Sequence, residues 1–572
     1  MFEKYFMVAL YFSALLLLGY LASRRVTTMK DFVVGGKSLG FWVAAFSAQA
    51  TGESAWLLLG LTGMGAMIGF SAYWVVIGEL LGVAAMWFLM AGRFKRLSDR
   101  YDAITVIDYM VGRFRSRSHL LRVLSAVTLT LFVLIYIAAQ IDATGSAFET
   151  FLDWNYLTGA IVGFVIVTTY CIAGGFLAAA WTDMLQGAVM LVCLMLLPIV
   201  AWLSLTNTGA IHAGLAAIDP GLTNVWGPGG FSLLNVAAVI GMALIGLGFL
   251  GSPQVFARLI AIRNEAQIHR GKWVAVLFTL LADFSAVSIG ILGRYIFTSE
   301  GIPPDSVLGN GAQNVLPELV SYTFPPWLVG LYVAAVLSAI MSTVSSLIVM
   351  AAGSITHDLY ERFIRPQAGP RELLLVGQAT TVLLLVLGVM TALVSNSIGA
   401  VFRLVIAIGS GPGVVLVLRW FWWRVNAAAE LSAMLCGFLV GVLTSITPLV
   451  RIDDYGLRLA VITGVSAAVW LSVMLCTPPE SEAVLERFVR KVRPPGPGWA
   501  HLRRRFEVTP IESFPAMLQR FVWACGVLFG GLLGTGGFLL HQHVTGWCGL
   551  SVLVVSFLML RRPALAVQPS AE

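Results

Sequence analysis

Apolar runs of about twenty residues recur along this chain, and they leave little choice of solvent. A helix rises about 1.5 Å per residue, so some 20 apolar residues cover the roughly 30 Å hydrocarbon core of a bilayer. In hydrocarbon the backbone must satisfy its own N–H and C=O groups, and a helix does so within itself. The runs fall at 5–22, 39–63, 69–91, 120–146, 157–173, 182–205, 232–256, 271–297, 326–353, 373–394, 398–421, 430–449, 457–476, 518–540 and 545–560. The composition agrees: 58% of the 572 residues are hydrophobic and 11% are charged. Soluble chains carry about 25% charged residues. The expected fold is an all-α polytopic membrane protein of about 15 transmembrane spans.

Loop charges give the orientation independently. The loops 23–38, 92–119, 257–272, 354–372 and 477–517 are rich in Arg and Lys, whereas 147–156, 206–231 and 298–325 contain neither. That alternation puts the N-terminus out and the C-terminus in, with the protein multi-pass in the inner (cytoplasmic) membrane. The net charge of +7 then reflects cytoplasmic loops and does not call for a nucleic-acid partner. The first run is a full span with no small-residue cleavage site after it, so it reads as no signal peptide. The six Cys are scattered, without a C-x-x-C, and read as packing residues. Val484, Leu485, Phe488, Val489 and Val492 share one helical face, expected to lie on the cytoplasmic membrane surface. The Pro-Gly run at 494–498 ends that helix.

Two spans carry interruptions. The second has polar residues and a glycine at its centre, Ser47-Ala48-Gln49-Ala50-Thr51-Gly52-Glu53-Ser54. The seventh has Gly246, Gly248, Gly251 and Pro253. Broken backbone at membrane depth is tolerated where it lines a cavity or is buried in protein. The breaks lie five spans apart, so they belong to segments of opposite direction, the pattern of an inverted repeat around a central site. Packing glycines are the alternative reading, and it leaves Glu53 unexplained. In the ninth span Ser338, Ser342, Ser345 and Ser346 fall at helical spacing, with Thr343 beside them. Hydroxyls on one face suit a hard cation, and they equally suit interhelical hydrogen bonding.

These residues resemble the solute:sodium symporter family, nearest its sodium/proline-type branch. The likeness covers about 1–475 and rests on several segments: Ser54-Ala55-Trp56-Leu57-Leu58-Leu59-Gly60-Leu61, Gly174 to Gln186, Gly246 to Pro253, Ala339 to Ser346 and Thr356-His357-Asp358-Leu359-Tyr360. The resemblance implies a five-plus-five inverted-repeat core over 39–425. Around it come an extra N-terminal span and loop over 1–38, two additional spans over 426–476, a cytoplasmic loop over 477–517 and two C-terminal spans over 518–572. It also implies a sodium site formed by the carbonyls of Ala50, Glu53 and Ala339 with the hydroxyls of Ser342 and Thr343. A second sodium site maps onto Asp183, Ser342, Ser345 and Ser346, and Asp183 has an alternative as a helix N-cap. The implied solute residues are Glu53, Ser54, Trp56, Tyr136, Ile245 and Phe249. The branch has an Asp where this chain has Gly52, one position before Glu53.

Charges at membrane depth are expensive and point to function. Five acids qualify: Glu53, Glu79, Asp142, Asp183 and Asp283. Arg294 and Arg403 are candidate partners for Glu79 and Asp283, and Asp142 fits a structural or gating role. His541 and His543 lack a third ligand and read as a solvated turn. Trp420, Trp422 and Trp423 read as interface anchors. No nucleophile–base pair, H-E-x-x-H or P-loop is present, so an enzyme is not expected. The expected function is sodium-coupled import of a small organic solute such as proline or a related amine. Sugar symport, a proton-coupled variant using Glu53 and a transporter-like sensor are the alternatives. The partners are Na+, the solute and the lipid bilayer, and the sequence leaves the oligomeric state open.

Overall fold

The structure, a computed structural model, describes residues 2–115, 119–205, 211–394, 412–447, 450–539 and 542–561. Among these residues it is all-helical apart from two isolated bridges, Leu39 with Ile262 and Trp422 with Gly498. Twelve helical segments are long and apolar enough to cross a bilayer: α1 Phe2–Ser23, α2 Phe41–Arg100, α3 His119–Leu152, α4 Tyr156–Leu203, α5 Leu233–Ala261, α6 Glu265–Phe297, α7 Pro326–Ile364, α8 Pro370–Ala392, α9 Ala427–Ser445, α10 Tyr455–Cys476, α11 Phe514–Phe538 and α12 His543–Arg561. Two of them each absorb a pair of the expected runs. α2 has 60 residues and α4 has 48. At about 1.5 Å per residue each far exceeds a bilayer's thickness. Both are interrupted by glycines in conformations closed to other residues, Gly69 (φ 58°, ψ −132°) and Gly175 (φ 49°, ψ −139°). Most of the expected run 398–421, including Arg403, lies outside the described residues, as does His541.

Burial sorts the helices. The apolar window of α7 is 100% buried, while those of α1 and α12 are 28% and 17% buried. α7 is therefore the axis, and α1, α2, α3 and α4 pack on it. Lipid tails are as apolar as leucine, so helices in a bilayer associate through close packing and polar contacts. The sequence supplies small residues for this. Gly78 and Gly82 of α2 face Gly246 of α5 so closely that a Cβ on Gly246 would stand 2.0 Å from the Gly78 carbonyl oxygen.

Three expectations change here. The 480–493 segment forms a helix, Glu482–Val492, but Leu485, Phe488, Val489 and Val492 are buried against protein, with Val484 only half-buried. Phe488 lies against Trp420 and Trp499, and the Arg113 guanidinium stands 3.8 Å from its ring centre. Trp420 is fully buried and anchors protein to protein rather than to lipid. Basic residues assigned to loops also enter the core, because α5 runs on to Ala261 and buries Arg258 completely.

The Thr356–Tyr360 motif forms a latch on the same side. Arg122 binds both Asp358 and Asp108, and Thr105 donates to Asp358 at 2.8 Å. Burial works against ionisation of Asp108, but the His357 ring 3.5 Å away and the Arg122 charge outweigh it and hold its carboxyl down to about 2.

The glycine crossing yields a stability prediction. Gly246→Leu forces the α2 and α5 backbones apart and should lower stability by about 3 kcal/mol or more, seen as a clear fall in the thermal unfolding midpoint. An unchanged midpoint would contradict this packing.

Candidate functional site

The site begins where α2 loses its helical path. Ser54 adopts φ 56°, ψ −171°, a conformation that L-residues rarely take. A break strands backbone groups, and in hydrocarbon each needs a partner. α7 supplies several. The Ser342 hydroxyl donates to the Ala50 carbonyl at 2.9 Å and lies 3.2 Å from that of Ala339. The Thr343 hydroxyl is 3.1 Å from the carbonyls of both Thr51 and Ala339. On the far side of the break the Ala55 N–H meets Gln140 Oε1 at 3.4 Å, and the Trp56 N–H meets Ser54 Oγ at 3.2 Å.

Of the oxygens expected for a first sodium, those of Ala50, Ala339, Ser342 and Thr343 thus converge. The Thr51 carbonyl joins them, unforeseen in the sequence. The Glu53 carbonyl instead accepts the Trp56 N–H. Two hydroxyls and three carbonyls form a neutral oxygen set suited to a hard monovalent cation.

The residues expected to hold a second sodium also meet, around a different cation. Asp183 accepts from Ser47 at 2.6 Å, Ser346 at 3.2 Å and Ser345 at 3.4 Å. Ser342 contributes here through its carbonyl, which accepts from Ser345 at 3.1 Å. Arg258 Nη2 stands 2.9 Å from Asp183 Oδ2 and from Thr51 Oγ1, and it also contacts Ser346 Oγ. Its Nε donates to Ser47 at 3.0 Å. Asp183 lies well inside α4, eight residues beyond the Gly175 interruption, so it is no N-cap. Sequence reasoning missed Arg258 because it had been counted among the loop charges.

Gly52, Trp56, Tyr136, Ile245 and Phe249 border a cavity open to about 140 Å³ of water-sized space, with Glu79 on its wall. Four of the six expected solute residues therefore line it, while Glu53 and Ser54 do not. The Glu53 carboxylate turns instead to those of Glu79 and Asp283, all within 4.8 Å of one another. Arg294 forms no ion pair with Glu79 or Asp283, and its Nε and Nη1 have no hydrogen-bond partner. Asp142 accepts from the Tyr156 hydroxyl at 2.5 Å, tying α3 to the start of α4.

The family profile described as "Sodium:solute symporter family" matches residues 32–437. The chain is 34% identical over 436 residues to the sodium/proline symporter of Escherichia coli K12, covering 75% of this chain and 85% of that one. It is 30% identical over 426 residues to the high-affinity proline transporter PutP of Bacillus subtilis 168, covering 74% and 88%. The fold is similar to that of a Na+-coupled sialic acid symporter solved substrate-bound and outward-open, with a TM-score of 0.68 at 20% identity, over 84% of this chain and 99% of that one. With its profile match spanning both broken helices and the hydroxyl face of α7, this chain belongs to the sodium:solute symporter family.

Proposed function

We propose that the chain is a sodium-coupled symporter that imports a small amine-bearing solute by alternating access, with proline the first solute to test. The observation that carries this reading is the neutral oxygen set at the break, where Ser342 and Thr343 meet the carbonyls of Ala50, Thr51 and Ala339. A sodium ion held there would bridge α2 and α7, so its arrival and departure would be tied to their relative position. The relatives named for sodium/proline symport support the choice of ion and solute. In purified protein reconstituted into vesicles, an inward sodium gradient should drive proline or amine uptake, and Ser342→Ala and Thr343→Ala should each raise the half-saturating sodium concentration roughly tenfold. Uptake indifferent to sodium would end this reading.

The architecture that goes with it is the count of fifteen spans expected from the sequence, with α2 and α4 each crossing twice, the N-terminus out and the C-terminus in. The twelve apolar segments and the two glycine interruptions support that count. Cysteines placed at the exposed positions Arg100 and Asp305 should then label from opposite sides of the membrane, and labelling from one side would refute the topology.

One sodium per solute follows from the same reading, because the Asp183 pocket already holds a cation. Removing one partner of a buried ion pair leaves the other charge uncompensated, at about 3–5 kcal/mol. Arg258→Ala should therefore lose stability, and sodium should restore it by taking the vacated position beside Asp183. The measurement is thermal unfolding in sodium against potassium. Equal midpoints in the two salts would show that Asp183 accepts no sodium even without Arg258.

A further inference from the structure

The cavity reaches well beyond the break, and its far end has a chemistry of its own. Ser125, Leu129, Phe132 and Tyr136 border it from one face of α3. Ser125 and Tyr136 stand three turns apart, about 16 Å along the helix axis, farther than one proline extends. Tyr136 belongs to the end at the break, since Gln140, one turn on, meets the Ala55 N–H there. Ser125 belongs to the other end. Arg122, one turn before it, binds Asp108 of the short helix Val106–Phe114 at 3.0 Å. Tyr109 of that helix borders the cavity, and the Arg419 guanidinium stands 5.2 Å from its ring centre. Arg419 borders the cavity too.

This far end holds hydrogen-bond donors with nothing to receive them. Arg419 is 2% exposed, Tyr109 0% and Ser125 1%. Arg419 Nε, the Tyr109 hydroxyl and Ser125 Oγ have no hydrogen-bond partner. Buried polar groups are nearly always matched, so three unmatched ones on one wall call for an acceptor. Glu430 does not meet the demand of Arg419. Both of its oxygens take Nη1, at 3.2 Å, whereas a forked pair would engage two nitrogens. Nor does Ser125 behave like its neighbours. Thr130 and Thr144 of the same helix each donate at 2.8 Å to the carbonyl four residues earlier. Trp56 Nε1 is also unmatched, but it lies at the end by the break.

The geometry points to a second resting place for the solute at this far end, where a carboxylate accepts from Arg419 Nε, the Tyr109 hydroxyl and Ser125 Oγ. The inference rests on the symporter reading and extends it from one solute place to two. A carboxylate is the guest these groups suit. It has two acceptor oxygens, no donor, and a charge opposite to the guanidinium. Glu430 keeps the arginine paired while the place is empty, so no bare charge is buried. The neutral oxygen set lies at the break, so sodium has no part in the far place. A compact amino acid such as proline carries the required group.

The test is equilibrium binding of L-proline to the full chain in vesicles, in potassium without sodium. L-Prolinamide, the same ring without the carboxylate, is the comparison. Proline should bind in potassium, and prolinamide should bind roughly tenfold or more weakly. Tyr109→Phe and Ser125→Ala each remove one unmatched hydroxyl, and each should weaken proline binding roughly tenfold. Arg419→Lys keeps a cation beside Glu430 but loses Nε, and should weaken it at least as much. Without solute, the two hydroxyl variants should unfold no earlier than the wild type, because the group they lose had no partner. A clear fall in either midpoint would show that hydroxyl bonded within the chain and overturns the proposal. No proline binding in potassium shows that water alone meets these donors, and it overturns the proposal while leaving sodium symport intact. Prolinamide binding as tightly as proline, or proline binding indifferent to all three variants, overturns it as well. The expected binding together with uptake indifferent to sodium supports the far place and ends the sodium-coupled reading.

Discussion

A backbone carbonyl in hydrocarbon has no water to turn to, and leaving it without a donor costs several kcal/mol. The interruption at Ser54 is possible because α7 presents hydroxyls where α2 stops supplying N–H groups. That requirement explains why the apolar window of α7 is fully buried and why its central face is built from Ser, Thr and Ala rather than leucine. It also gathers neutral oxygens of the kind a cation site would need. The oxygens that need donors are the same oxygens that can ligate sodium, and the hydroxyls that serve as donors can turn their lone pairs toward an ion. A broken helix and a cluster of neutral oxygens are two consequences of one unmet hydrogen-bonding demand.

Charge follows a parallel logic. Burying an isolated ion is prohibitive, so buried ions come paired and hydrogen-bonded. Arg258 with Asp183 and Arg419 with Glu430 obey that rule within the chain. The Glu53, Glu79 and Asp283 carboxylates form no such pair among the described residues, and of the three only Glu79 borders the cavity.

Much of the fold was legible because bilayer physics leaves its mark in composition. Apolar length predicts helices, and glycines amid polar residues mark the breaks at Ser54 and near Gly251. The hydroxyl spacing in α7 survives intact, because residues three and four apart share a face whatever surrounds the helix. Partners distant in sequence were not legible. Arg258 reaches Asp183 across 75 positions, and nothing local distinguishes it from the loop cations that follow. The acids at 53, 79 and 283 stood out singly as costly charges, but their meeting depends on the crossing of α2 with α6. The direction of the Glu53 side chain was equally hidden, since a break frees it from the helical register used to place it. The Glu482–Val492 helix shows the same limit: its apolar face was plain, but whether that face meets lipid or Trp420 is decided elsewhere in the chain.

Thr51 joins the neutral oxygen set to the Arg258–Asp183 pair physically. Its carbonyl accepts from Thr343 in the neutral oxygen set, and its hydroxyl accepts from Arg258 while lying 3.2 Å from Ser346 Oγ. Ser342 does the same from the other helix, with its hydroxyl on Ala50 and its carbonyl accepting from Ser345. A cation drawing the Thr51 and Ser342 oxygens to itself must therefore disturb the groups that hold Arg258. Coupling carried by shared atoms needs no long pathway, only two arrangements of the same contacts. Arg258 sits one turn beyond Pro253, where the second broken helix resumes. A shift of the guanidinium would therefore be felt along α5, whose residues Ile245 and Phe249 border the cavity. The neutral oxygen set at one break and the start of the helix that follows the other are in this way linked through a single buried arginine.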